Sequence, residues 1–282
     1  EQHGFEMQHE NARGEVFGEL VEVMGRLESS LNHRLFIPLS IASFVASSGE
    51  IKEDEFEAFA ENLWRHSGGG LRSIQVAVGS EVRYVYPLPG NEAVLGLDLL
   101  TLEEQAETVR KTIAGHSMVV AGPYLLNQGG RGIIARQPLH LPQSMGGAYW
   151  GLATVIIDWD SLLQEASLLE TTGLDLVLQG AASDGEADSI IFGDAAVLER
   201  DPVSLPVTLP GGEWVVAAIP KGGWDANLNI ARLHTERTVF FLFSLLVTVL
   251  AALGMEYPRL LHRRIAQATH ELQEGRDLLE QR

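Results

Sequence analysis

The chain has 282 residues, a formal net charge of −18 and no cysteine. Its length permits two small domains or one larger one. The acid surplus argues against nucleic acid, whose phosphates need clustered Lys and Arg, and the lack of Cys excludes disulfides, a thiolate nucleophile and Cys-bound metal. The acidity is uneven: residues up to Arg237 hold 15 basic and 33 acidic side chains, whereas from Thr238 onward there are five of each.

Val16, Leu20, Val23, Leu27 and Leu31 recur at three and four residues with Glu15, Glu19, Glu22 and Glu28 between them. That spacing predicts a long amphipathic helix. It runs to Leu35 and is expected to stop at Pro38, which disfavours helix at the residue before it; residues 1–40 form the expected stalk. A second helix is expected from about Ser40. A third covers Glu53 to Trp64, with Phe56, Phe59, Ala60 and Leu63 on one face. After Gly68-Gly69-Gly70 the strand-like runs "SIQVAV" and "VRYVYPL" follow. "AVLGLDLL" leads into a helix expected from Leu102 to Ala114, with Thr101 as N-cap.

"SMVVAGPYLL" and "GIIARQPLHL" read as two strands joined across Gly129-Gly130-Arg131-Gly132. No helix start follows these glycines, so they lack the dipole of an anion site; they supply the positive-φ positions of a hairpin. "YWGLATVIIDWDSLLQEAS" is a strand passing into a helix, for which Asp158 and Asp160 are candidate caps. A smaller set of strands follows: "LDLVLQG", "SIIFGD", "VSLPVTL" and "EWVVAAIP", with a turn at Pro210-Gly211-Gly212. The order is that of an α+β domain with two antiparallel-sheet lobes on a long N-terminal helix.

"TVFFLFSLLVTVLAALGM", residues 238–255, carries no charge over a length at the lower limit for crossing a bilayer. Arg259, Arg263 and Arg264 follow it closely, and the positive-inside rule puts that side in the cytoplasm. Residues 1–237 are then extracytoplasmic, in a bacterial inner membrane, and 256–282 are cytoplasmic. Beyond the span Leu261, Ile265, Ala268, Leu272, Gly275 and Leu279 trace a heptad seam, which predicts a parallel homodimeric coiled coil. His270 reads as an exposed coiled-coil position, because "HEL" lacks the continuation of a phospho-acceptor box. The chain starts at Glu1 and is read as part of a longer protein, with any signal peptide or first span before it.

No HExxH, G-x-S-x-G or GxxxxGK[ST] occurs. The segment is therefore expected to be no enzyme and to need no cofactor or metal. Two classes stay open: a ligand sensor that signals across the membrane, and a partner-binding or structural ectodomain.

"FEAFAENL", "SIQVA", "YPLPGNEAVLGLDLL", "VVAGPYLLNQGGRGIIARQPLH" and "YWGLATVIIDWDSLL" occur in that order between Glu53 and Ser167. In this the chain resembles the CHASE family of extracytoplasmic sensor domains, found in receptor-like histidine kinases and diguanylate cyclases. The resemblance implies a long helix and two PAS-like lobes, the membrane-distal one at 41–157 and the proximal one at 158–232. It also implies a small molecule bound in the distal lobe and an output domain, of kinase or cyclase type, beyond Arg282. Leu126 falls where a plant cytokinin receptor presents backbone groups to its ligand. Arg136 falls where that receptor has a small polar side chain. The acidic residue that grips ligand falls at Glu104 or Gln105. With Asp98, Tyr124 and Val76 these make the expected ligand-binding set; Asp98 could instead hold a turn. Arg136 departs from the family and favours an anionic ligand, since Arg holds a carboxylate by two hydrogen bonds. Its alternative is an exposed, outward strand position.

Overall fold

The computed structural model describes residues 2–170, 173–180, 189–224 and 238–248. The chain divides into two compact units, Glu1–Asn227 and Leu228–Arg282.

The first unit is built on helix α1, Gln2–Ser48. It continues through Pro38, contrary to the expected break. Val16, Leu20, Val23, Leu27, Leu31, Leu35, Ile37, Ile41 and Val45 are all buried. The apolar stripe thus carries on past the proline, and burial on both sides outweighs the one backbone hydrogen bond that a proline nitrogen cannot make. Helix α2, Glu53–His66, follows; the Glu55 side chain accepts from the Lys52 backbone N–H at 3.0 Å and so closes its first turn.

Five strands form the first sheet: β1 Leu71–Val78, β2 Glu81–Tyr86, β3 Val119–Leu125, β4 Arg131–His140 and β5 Tyr149–Asp158, in the order β2-β1-β5-β4-β3. All pairings are antiparallel. Four more form the second: β6 Leu174–Gly180, β7 Ser189–Gly193, β8 Val203–Leu209 and β9 Gly212–Pro220, ordered β7-β6-β9-β8. Helix α4, Trp159–Glu165, links the sheets, and the Asp158 carboxylate caps it by accepting from Ser161 N–H at 2.9 Å. Asp160 sits in its first turn rather than at the cap.

Strand alternation divides each residue run between two faces. On the first sheet Ile74, Val76, Ala135, Ala153 and Val155 join one core with the apolar stripe of α1, and Leu176, Leu178, Val207 and Val216 of the second sheet belong to the same core. α1 touches β4 and β5 of one sheet and β8 and β9 of the other. Arg34, 2% exposed, ties it to the linker: its guanidinium donates to both Glu165 carboxylate oxygens at 2.7 and 2.8 Å and to the Gly69 carbonyl.

The opposite face of the first sheet is covered by residues 87–105 and by helix α3, Ala106–Gly115. α3 starts four residues later than expected. Thr101 is not its cap but the end of a 3-10 turn, Leu99–Thr101, whose own cap is Asp98. In the second unit, residues 238–248 are helical and their large apolar side chains, such as Phe240, Phe241 and Leu242, are exposed. Among the described residues no helix is long and apolar enough to cross a membrane. The rest of the expected span, 249–255, and the expected coiled coil with His270 lie outside the described residues.

Candidate functional site

The covered face of the first sheet carries a buried polar row. Gln75 of β1 stands opposite Thr154 of β5, which stands opposite Arg136 of β4, which stands opposite Val119 of β3. All four are buried, Arg136 to 3% exposure. Helix α3 and its N-cap residue face the row with Gln105, Thr108 and Thr112, all buried. Their spacing of three and four residues puts them on one side of the helix. Thr108 donates to the Gln105 carbonyl at 2.8 Å and Thr112 to the Thr108 carbonyl at 2.7 Å. Apolar groups flank the row on both sides: Ala77, Val82, Val85, Val109 and Leu152 at one end, and Tyr124, Leu126, Ile134 and Ile156 at the other.

Arg136 is the exceptional member. Its Nη2 donates to Gln105 Oε1 at 2.6 Å, while its Nε has no partner. Among the described residues no carboxylate pairs with it. Burial pulls its pKa down to about 10, a fall that nearby Tyr124 partly opposes. The guanidinium is thus a cation at neutral pH, stripped of water and without a counter-charge. The buried Tyr124 hydroxyl also lacks a partner. Arg72 Nε, Asn91 Oδ1 and Gln128 Nε2 complete the unpartnered buried side-chain atoms among the described residues, and all five lie in the first sheet, its β3–β4 turn or the segment 87–105 that covers it. Buried polar atoms in folded chains are nearly always satisfied, so this concentration singles out the face as the candidate site.

The expected residues separate cleanly on this geometry. Arg136, Gln105 and Tyr124 come together, and the outward position considered for Arg136 is excluded by its burial. Of the two candidates for the ligand-facing position, Gln105 is buried and Glu104 is exposed. Val76 belongs to the core under α1, on the other face from Arg136; its neighbour Gln75 faces the row. Asp98 is spent on its turn, accepting from Leu100 N–H at 3.0 Å. Leu126 packs its side chain beside Tyr124, and both its backbone groups close the hairpin, N–H to Gly130 and carbonyl from Gly129 N–H. Gly129 and Gly130 hold the positive φ angles, 85° and 78°, that this turn requires. Gln75, Thr154, Thr108 and Thr112 were not anticipated; the alternation of "SIQVAV" would have flagged Gln75 once the buried face was known.

Two other features stand apart from this row. His116, the left-handed cap of α3, meets His140 at the end of β4, with Nδ1 and Nε2 2.9 Å apart. Beside the second sheet a cleft of about 380 Å³ is lined by Leu174, Leu176, Phe192, Val197 and Arg200 among others. No residue of the expected set lines it. Arg200 there is exposed and donates to the Gly222 carbonyl at 3.2 Å.

A long helix carrying two antiparallel sheets is the architecture of extracellular ligand-sensing receptor domains. The chain belongs to the CHASE family: the model of the CHASE domain matches residues 50–192, half of the chain. Among solved structures it resembles an extracellular ligand-binding receptor from Desulfohalobium retbaense, with TM-score 0.55 and 15% identity over 71% of this chain and 39% of that one. It is also similar to the extracellular domain of mmHK1S-Z3, assigned as a histidine kinase (TM-score 0.51, 16% identity, 81% of this chain and 98% of that one). The ligand-binding domain of the Pseudomonas aeruginosa amino acid chemoreceptor PctB, solved with L-Gln, matches at TM-score 0.50 and 14% identity over 77% and 94% of the two chains. These identities carry the fold alone. No curated protein matches the chain.

Proposed function

We propose that this domain senses a small carboxylate, bound on the covered face of the first sheet between Arg136, Gln105 and Tyr124. The observation that carries the reading is the Arg136 guanidinium, buried without a counter-ion and with Nε unpartnered. An isolated buried charge is costly, and a carboxylate offsets that cost with two charge-assisted hydrogen bonds. At the second-sheet cleft Arg200 is exposed, so no desolvated charge calls for an anion there.

In this reading residues 41–157 are the membrane-distal, ligand-binding lobe and 158–232 the proximal lobe. Residues 238–255 are the span, and 256–282 a parallel coiled coil that biases a kinase or cyclase output beyond Arg282. Signalling then needs a ligand that binds one arrangement of the lobe better than the other. α3, which caps the site, and α1, which touches both sheets, are the elements through which a change at Arg136 reaches the proximal lobe.

The test is calorimetry on the full chain in detergent micelles, with a panel of small carboxylates and their neutral amides. Saturable binding of at least one acid, absent for its amide and lost in Arg136→Met, is the expected outcome. If no acid binds, or if an acid binds Arg136→Met as tightly as the parent, the reading is wrong.

A further inference from the structure

The chemistry around Arg136 selects among carboxylates. Among the described residues, the buried polar and charged side chains of the first unit are Arg34, Ser67, Ser73, Gln75, Asn91, Gln105, Thr108, Thr112, Arg136 and Thr154. Neither Asp nor Glu is among them. The acids nearest the site in sequence face elsewhere: Asp98 caps its turn, and Glu103, Glu104 and Glu107 are exposed. What meets the row instead is hydroxyl and amide: Thr154 and Gln75 from the sheet, Gln105, Thr108 and Thr112 from α3, and the unpartnered Tyr124 hydroxyl.

An α-amino acid brings an ammonium group beside its carboxylate. On this face that cation would be desolvated with no carboxylate to receive it and with the Arg136 guanidinium close by. Hydroxyl and amide oxygens can accept its protons but supply no compensating charge, and a buried cation without one is strongly disfavoured. A hydroxyl in the same place loses less on leaving water, because a threonine oxygen can accept from it and a glutamine amide can donate to it without any compensating charge.

We infer that the ligand is a carboxylate without an α-ammonium group, of the 2-hydroxy acid class, and that the site rejects the corresponding amino acids. This rests on the carboxylate reading above and narrows it. It also sets the chain apart from the PctB domain, whose structure holds L-Gln.

Matched pairs that differ only at the α-carbon substituent test it: L-lactate against L-alanine, L-malate against L-aspartate, and 2-hydroxy-4-methylpentanoate against L-leucine. Each is titrated calorimetrically into the full chain in micelles, with Arg136→Met as control. The expected result is Arg136-dependent binding of at least one hydroxy acid, with its amino-acid partner weaker by about tenfold or more. An amino acid that binds as tightly as its hydroxy partner, or more tightly, overturns the inference and leaves the carboxylate reading standing. Failure of every acid in the set, with some other carboxylate of the wider panel binding, overturns the hydroxy acid class alone. Failure of all carboxylates removes both.

Discussion

A guanidinium sealed from water with a single amide oxygen for company destabilises the fold that contains it. Arg136→Met removes the charge and keeps the volume, and the loss of the Gln105 hydrogen bond offsets part of the gain. Denaturant unfolding of the variant is therefore expected to fall within about 1 kcal/mol of the parent, or above it. A drop of several kcal/mol would mean that Arg136 has a structural partner. His140 poses a different question of charge. Burial, and then neighbouring His116, lower its pKa from the ordinary 6.5. Tyr149, whose ring lies 6.0 Å from His140, stays neutral because burial raises its phenol to about 12. The 2.9 Å contact of the two imidazoles needs one to donate and the other to accept, so a doubly protonated pair cannot keep it. The native state thus binds fewer protons than the unfolded chain between the lowered pKa and 6.5. The contribution of the pair is fully present above that range and is lost as pH falls through it. An NMR titration of the imidazoles is expected to show His140 below the ordinary value and rising toward it in His116→Gln; no change in the variant would disprove the coupling.

At the scale of elements, the register of β1 against β5 decides which side chains join the buried polar row. Gly151 pairs with Val78, and a Cβ at Gly151 would lie 1.9 Å from the Ala77 carbonyl oxygen. Only glycine lets the two strands approach there. Gly151→Ala should therefore cost about 2 kcal/mol or more in urea unfolding. Gly212→Ala, at the β8–β9 turn with open space around the position, should stay within about 0.5 kcal/mol of the parent. Equal effects would mean that the close approach of β1 and β5 does not constrain the sheet. The same register explains why Val76 and Gln75 exchange roles relative to the sequence reading. Side chains alternate with period two, so a misplacement by one residue moves a position to the other face. "SIQVAV" is buried on both faces, and its hydrophobicity alone cannot tell them apart.

At the scale of the whole molecule, the core shared by α1 and both sheets argues for one cooperative unit from α1 to β9. Trp64, Trp150 and Trp159 report on the first sheet and Trp214 on the second. Tryptophan fluorescence and far-UV circular dichroism are expected to give coincident unfolding curves. The Arg34–Glu165 pair pins the linker α4 to α1, with the Glu165 side chain 37% exposed. Glu165→Gln keeps hydrogen-bonding capacity and is expected to cost about 1 kcal/mol without splitting the transition; two separate transitions in the parent would show that the lobes fold independently. The sequence by itself determined the order of the strands, the α+β class, the hairpin at Gly129-Gly130 and the Asp158 cap. Those depend on local rules of periodicity, positive φ and backbone capping. Only the tertiary structure decided that α1 runs through Pro38, because the gain comes from contacts with both sheets. It also decided that Gln105 is buried and Glu104 exposed, and that Arg136 is buried with no carboxylate partner among the described residues, since each depends on which face of a strand or helix meets residues far away in the chain.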